Sequence, residues 1–354
     1  MKTLKLRIKD KHAKVLIQLA SEVNFVWNYV NDLSYKHLQR TGKFFSAFDI
    51  ATYTKGASKS GLNLHSQTIQ AITEELVIRR KQFKKAKLNW RVSNPKSAKK
   101  SLGWIPFKAS GIQYQNGQVK YAGQWFSLWD SYGLSKHKVK TGSFVQDSRG
   151  RWYVCLVVDT PAQPNMTEGK TPVGIDLGLK DFATLSNGQK INAQRTYRKY
   201  EQKLGIAQRA NQKQRARAIH AKIKNIRKDF LHKLSRQLVN DHAAIFVGNV
   251  NAKGLAQTKL AKSVLDAGWT AFRTMLKYKC DHAGVWFFEV NEAYTTQTCS
   301  CCGSRDSSPK GRAGLGIREW TCQGCGTTHD RDVNAAKNIL AAGHCRLAGG
   351  ISDV

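Results

Sequence analysis

The sequence predicts a multidomain α+β protein: a β-barrel-like domain interrupted by a helical lobe, followed by an α/β domain. Three observations carry this. Strand periodicity opens the chain, gives way to helical periodicity, and returns after Pro106. The segment TPAQPNMTEGKTP holds three of the six prolines and marks a boundary. Beyond it the order is β-hairpin, helix, strand, helix, strand, the pattern of an α/β unit.

Leu4, Leu6 and Ile8 alternate with Lys5, Arg7 and Lys9, the period of a half-buried strand. From Val15 apolar residues recur at three and four, through Leu19, Val23, Val26, Trp27, Val30 and Leu33, and again at Ile69, Ile72, Leu76 and Phe83. The second helix is expected to run into the basic stretch RRKQFKKAKLNWR, with Phe83 and Trp90 interleaved. An Asn116-Gly117 turn joins strands around Ile112 and Val119. A second hairpin joins Phe144 to WYVCLVV through DSRG. VGIDLGLKDFATLSNG reads as two strands about a turn, and Arg195 to Asn240 as one long helix. That helix carries an apolar stripe at Ile219, Ile223, Ile226, Phe230, Leu234 and Leu238. The strands AAIFVGNV and VWFFEV flank a further helix.

The 354 residues include 58 Lys and Arg against 24 Asp and Glu, a formal charge of +34. Such an excess neutralises phosphates, so nucleic acid is the expected partner. No run of about 18 apolar residues and no apolar signal core in MKTLKLRIKDKHAK points to a membrane, so a cytoplasmic protein is expected. Candidate phosphate contacts are Arg79, Arg80, Lys81, Lys84 and Lys85 in the first basic run, and Arg215, Arg217, Lys222, Lys224, Arg227 and Lys228 on the long helix.

Cys299-x2-Cys302 and Cys322-x2-Cys325 flank a nineteen-residue loop, a spacing that closes a tetrahedral thiolate site for structural Zn²⁺; a redox pair is the alternative. Cys301 is either a spare thiol or an alternative ligand. Asp176 places a charge at the end of an apolar strand, which calls for a partner or a metal. Asp332 begins an apparent helix beside Asp330, where a dipole-favoured helix-terminus acid is the plain reading. Two isolated acids in a very basic chain suggest a Mg²⁺-dependent phosphodiesterase.

The order GIDLGLKDFATLSNG, IFVGNVNAKGL, EAYTTQTCSCCG and TCQGCGTTHDRDVNAAKNIL resembles the transposon-associated TnpB family, compact relatives of type V CRISPR effectors. The amino-terminal half matches in pattern only, as in FVWNYVND and WIPFK. The resemblance implies a wedge-like β-barrel (1–10 and 100–165) holding a helical recognition lobe (11–99). A ribonuclease-H-like RuvC domain (170–297) would come next, then a zinc ribbon (298–327), the last RuvC motif and helix (328–345) and a tail (346–354). It also implies a bound guide RNA that pairs with a double-stranded DNA target.

Asp176 matches the first RuvC carboxylate and Asp332 the third. The second is a glutamate in the family, and Gly248 stands in its place, with Asn249 after it. Asp266, Asp281, Glu289 and Glu292 offer no substitute in motif register. Asp176 and Asp332 would then be remnants at which Mg²⁺ is not expected to support catalysis, and Gly248→Glu would be expected to restore some cutting. The resemblance thus extends to the nuclease-dead TnpB-like repressors (TldR), which implies a guide-RNA-bound, nucleoid-associated transcriptional repressor. An active Mg²⁺-dependent RNA-guided endonuclease and a zinc-containing RNA-binding protein without guided DNA targeting are the rival expectations.

Overall fold

A computed structural model describes residues 2–159, 169–306, 308–310 and 313–348. Most of the proline-rich linker and the end of the tail lie outside these residues. The chain forms two compact units, Met1–Pro161 and Ala162–Val354. Among the described residues no helix is long and apolar enough to cross a membrane.

The first unit opens with β1 (Lys2–Ile8), followed by α1 (Ala13–Thr41), α2 (Ala47–Thr54) and α3 (Ser66–Phe83). Strands β2 (Trp104–Lys108), β3 (Ile112–Gln115), β4 (Gln118–Tyr121), β5 (Gln124–Trp129), β6 (Val139–Gln146) and β7 (Trp152–Val158) complete it. They form one nearly closed antiparallel barrel sheet in the order β2-β6-β7-β1-β5-β4-β3. β1 is therefore central, and its alternate residues Leu4, Leu6 and Ile8 are buried. Inside the sheet, Phe107, Tyr121, Phe126 and Phe144 pack as tilted or edge-on rings. Leu16, Leu19 and Val23 of α1 belong to the same hydrophobic cluster, so helices and barrel share one core.

The second unit contains β8 (Val173–Leu177), β9 (Asp181–Leu185) and β10 (Lys190–Asn192), then α4 (Thr196–Arg209) and α5 (Lys213–Asp241). After these come β11 (Ala244–Gly248), α6 (Ala252–Leu255), α7 (Ala261–Ala267), α8 (Trp269–Ala283) and β12 (Trp286–Val290). The short hairpin β13 (Glu319–Thr321) and β14 (Thr328–Asp330) leads into α9 (Arg331–Ala348). The expected single helix from Arg195 to Asn240 is two helices. Asn211, at a φ of +51°, breaks it where polar residues replace the apolar stripe.

The five-stranded sheet runs β10-β9-β8-β11-β12, with β8, β11 and β12 parallel and β9 and β10 antiparallel. Period two divides its faces. Val173, Ile175, Leu177, Ile245 and Val247 join the core formed with α5 and α8. Phe246 and Val290 turn to the other face, where Ile339 of α9 packs. Gly174 and Asp176 also alternate onto that face, as does Gly248. α9 comes very close to β8: a Cβ on Gly174 would lie 2.1 Å from the Ala336 carbonyl oxygen. Gly174→Ala should therefore destabilise the second unit by about 3 kcal/mol or more, the upper range of overpacking, read as an earlier urea midpoint. An unchanged midpoint would contradict the helix placement.

Candidate carboxylate site and cysteine cluster

The face beneath α9 collects the acids. Asp176 lies at the end of β8, where an apolar strand leaves one side chain to alternate outward. Asp332 is in the first turn of α9. Asp330 does the capping, accepting the backbone N–H groups of Asp332 and Val333 at 3.0 Å each. Asp332 is thus released from the plain helix-terminus role and pairs with Arg318 at 3.2 Å. Partly open to solvent yet densely surrounded, the Asp176 carboxyl is pushed up to about 7, first by burial, then by the charges of Asp332 and Glu292. Arg331 and Arg318 oppose the shift.

Glu292 is the residue that motif register passes over. Parallel pairing sets Val247 against Ile175 and Gly248 against Val290, so the next step places Gly248 level with Asp176. Glu292 lies two residues beyond Val290 and folds back over the glycine. A Cβ on Gly248 would lie 2.8 Å from Glu292 Oε2 and 3.3 Å from Glu292 Cβ. The Glu292 N–H donates to Asn249 Oδ1 at 3.3 Å, tying the loop to the residue after the glycine. Burial raises the Glu292 pKa, with Arg273 opposing. The space a side chain at Gly248 would need is filled by a carboxylate from the loop that follows the neighbouring strand. Its only sequence signal is the distance of two residues past the end of VWFFEV, which requires the strand pairing to interpret. The other acids are used elsewhere: Glu289 pairs with Arg273 at 3.1 Å, and Asp266 accepts the Tyr197 N–H at 2.8 Å.

Cys299, Cys302, Cys322 and Cys325 bring their sulfurs within 4.8 Å of one another, and Cys301 stands outside the group. Cys299 and Cys325 Sγ are 3.7 Å apart, Cys302 and Cys322 Sγ 3.6 Å. Four thiolates in a tetrahedron with Zn–S bonds of about 2.3 Å would sit about 3.8 Å apart, so the donor set fits Zn²⁺. The two knuckles share one hydrogen-bond pattern. Cys299 N–H donates to Ser304 O and Gly303 N–H to Cys299 O, as Cys322 N–H does to Thr327 O and Gly326 N–H to Cys322 O. Gly303 and Gly326 both adopt positive φ, the geometry that glycine admits. His329 Nε2 lies 3.0 Å from Cys299 Sγ and orients it from outside the four.

α9 also holds the first knuckle. Asn334 and Asn338, one helical turn apart, each donate to the carbonyls of Thr295 and Thr298 at 2.6–3.2 Å. Asn334 Oδ1 accepts from Ser300 N–H at 2.8 Å. The stretch RDVNAAKNIL is therefore one acid, two clamps and a buried face of Ala335, Ala336 and Ile339.

The basic residues divide. Arg80 is buried, donates to Ser34 Oγ and to Phe45 O at 2.7 Å, and stacks on Phe44; it is a core residue, which corrects the expectation of a phosphate contact. Its position on the inner face of α3, one turn past Leu76, is the reason. α3 ends at Phe83, with Lys84 in the left-handed conformation, so the basic run leaves the helix there. The chain then lies extended along α1, held by Asn24, Asn28 and Asn31, which bond Ser93 and Arg91, Arg91, and Leu88. Arg79, Lys85, Phe83 and Trp90 line a groove of about 540 Å³. Lys81 and Lys84 are exposed beside it. On α5, Arg215, Arg217, Lys222, Lys224 and Lys228 are exposed, whereas Arg227 is half-buried and donates to Leu265 O at 2.8 Å.

Known proteins share this combination. Residues 154–259 match the OrfB_IS605 family, described as "Probable transposase", and residues 269–339 match the "Cas12f1-like, TNB domain" family. A "Putative RNA-guided DNA endonuclease" of Streptomyces pristinaespiralis is 36% identical over 275 residues, covering 72% of this chain and 66% of that one. A second protein of that description, InsQ of Escherichia coli, is 32% identical over 234 residues, covering 58% and 57%. The chain thus spans between just over half and just under two thirds of the length of these relatives. A Cas12f1 from a Cas12f1-sgRNA-target DNA complex shares the fold at a TM-score of 0.61 and 14% identity, over 94% of this chain and 83% of that one. The matched regions define a transposase-related class of protein with a Cas12f1-like carboxy-terminal part. The chain belongs to the TnpB/IS605 transposase family.

The acid cluster and the thiol cluster can each be tested. The pKa of Asp176 lies above the ordinary 3.8, so its contribution to stability is complete below about pH 4 and is lost as pH rises past about 7. Over that window the melting temperature of metal-free wild type should fall relative to Asp176→Asn; parallel profiles would remove the acid cluster. Cys322→Ser should lower bound zinc and the stability of the second unit, measured by metal analysis and thermal melting.

Proposed function

We propose that this protein is an RNA-guided DNA endonuclease in which Glu292 supplies the carboxylate missing at Gly248. The observation that carries the reading is the Glu292 oxygen standing 2.8 Å from where a Gly248 Cβ would be. In this reading 170–297 and 328–345 form a RuvC-like domain, 298–327 its zinc ribbon, and the barrel and helices of the first unit the wedge and recognition lobe. Guide RNA and double-stranded target DNA are the partners, as the descriptions of the relatives suggest. The exposed cations of α5 and the groove at Phe83 and Trp90 would hold phosphates and stack bases. The action would take place in the cytoplasm, at the nucleoid.

Burial first, and then the charges of Asp332 and Glu292, push the Asp176 pKa up to about 7, and a divalent cation would offset those charges. Mg²⁺ at such a site would activate water and stabilise the leaving oxygen of a phosphodiester. Within the chain, Asp176 at the end of β8 and Glu292 just past the end of β12 would present oxygens from either side of β11, and Asn249 fixes the Glu292 loop. Arg318 neutralises Asp332 until the phosphate arrives.

A nuclease-dead repressor is the second reading, favoured by Gly248 at the motif position and by the ion pair that occupies Asp332. Purified protein with its co-purifying RNA, matched DNA and Mg²⁺ separates the two. Guide-dependent cuts are expected, and Glu292→Gln should reduce them by about a hundredfold or more, the loss that an ångström of misplacement already causes. Gly248→Glu alone should impair cutting rather than restore it, because two carboxylates would compete for one space. Combined with Glu292→Ala it should recover part of the rate. Guide-matched DNA occupancy without cutting would establish the repressor; RNA binding without guided occupancy would establish neither.

A further inference from the structure

A cavity of the second unit opens where β8 ends. Gly178 and Leu179 form its near edge, two and three residues past Asp176, and it encloses about 420 Å³, within the range of about 300–1,000 Å³ typical of small-ligand pockets. Phe182 and Phe230 supply apolar wall, Tyr197 and Arg195 stand at the start of α4, and Asp266 lies inside.

Asp266 is the unexplained group. Its side chain is 7% exposed. Oδ2 accepts the Tyr197 N–H at 2.8 Å and so satisfies the first turn of α4. Oδ1 is buried with no hydrogen-bond donor among the described residues. The nearest guanidinium nitrogen, on Arg227, is 3.9 Å away and donates to Leu265 O instead. A buried carboxylate oxygen lacking a donor is costly, so a ligand that brings donors gains by filling the place.

The rest of the lining narrows the ligand. Arg195, Arg198 and Lys262 give the rim positive charge, the last two shared with Glu201 at 3.0 and 2.7 Å. Aromatic walls and a cationic rim suit a nucleotide; an acceptor-only group at depth selects among bases. Guanine presents two adjacent donors, N1–H and the N2 amino group. Adenine and cytosine set an acceptor beside their amino group, and uracil or thymine flanks one N–H with carbonyls.

We infer that this pocket binds an unpaired guanine nucleotide, with N1–H and N2–H donated to Asp266, the base against Tyr197 and the phosphate on Arg195. The pocket lies on the α5 face of the sheet and Asp176 on the α9 face, so the nucleotide would be held past the end of β8 on the side away from the carboxylates. The binding does not rest on the proposed endonuclease activity.

Titration of the full chain with GMP, dGMP, AMP, CMP and UMP, at salt high enough to suppress general phosphate attraction, tests the site. Guanine nucleotides should bind tighter than UMP by about tenfold or more, the low end of what a bidentate contact discriminates. The ratio of GMP to dGMP identifies an RNA or a DNA strand as the source. Asp266→Asn keeps an oxygen for the Tyr197 N–H and should abolish the preference. Tyr197→Ala leaves that backbone N–H intact and should weaken all bases about fivefold or more, as loss of a stacking wall does. Equal affinity for all nucleotides, or a guanine preference that survives both substitutions, overturns the inference. The assay needs no guide, target or Mg²⁺, so its failure is distinct from failure of the cleavage test.

Discussion

The close seating of α9 on the outer face of β8 is the constraint on which the carboxylate site depends. Gly174 admits the helix to a distance that no side chain would allow. Once seated there, α9 brings Asp332 to the face that carries Asp176, and its Asn334 and Asn338 reach the loop before Cys299. The cysteine cluster and the acids are thereby two ends of one rigid connection. Metal in the knuckles would stiffen the loop that the asparagines hold, and so steady the first turn of the helix.

Electrostatics explains why the acid face is small and guarded. In a chain of +34, burial and then the charges of Asp332 and Glu292 still push the Asp176 pKa up to about 7. Arg318 and Arg331 offset part of that shift, and a divalent ion would offset more. The basic excess lies elsewhere, on exposed α5 and around the aromatic groove of the first unit, where it costs little to keep charges in water. Arg80 is the exception. Inside the core it donates to Ser34 and Phe45, and its charge rests on the Phe44 ring.

Much of the fold is legible in local pattern. The alternation at Leu4, Leu6 and Ile8, the Asn116-Gly117 turn joining β3 and β4, and the hairpin of β8 and β9 all arise from period and turn chemistry within a few residues. The two C-x2-C-G segments fold into matching knuckles for the same reason, since every hydrogen bond in each closes within six residues. At Asn211 the pattern misleads, because the apolar stripe lies wholly in α5 and the polar residues before it carry no signal for the turn that propensity alone does not enforce.

Local sequence was enough to point to the family, to most of the strand and helix segments, to the four cysteines that cluster and to the two acids that sit inside recognisable motifs. It took the folded chain to show that Glu292 occupies the space at Gly248, that Arg80 is structural, and that Asp266 faces a cavity with one oxygen unanswered. The difference is one of range. Period and spacing report contacts made within a turn or a hairpin, whereas Gly248 and Glu292 are far apart in the chain and meet only because β11 and β12 pair in parallel, with Gly248 against Val290. A missing side chain in one strand is filled by a neighbour, and no linear motif records which neighbour it will be.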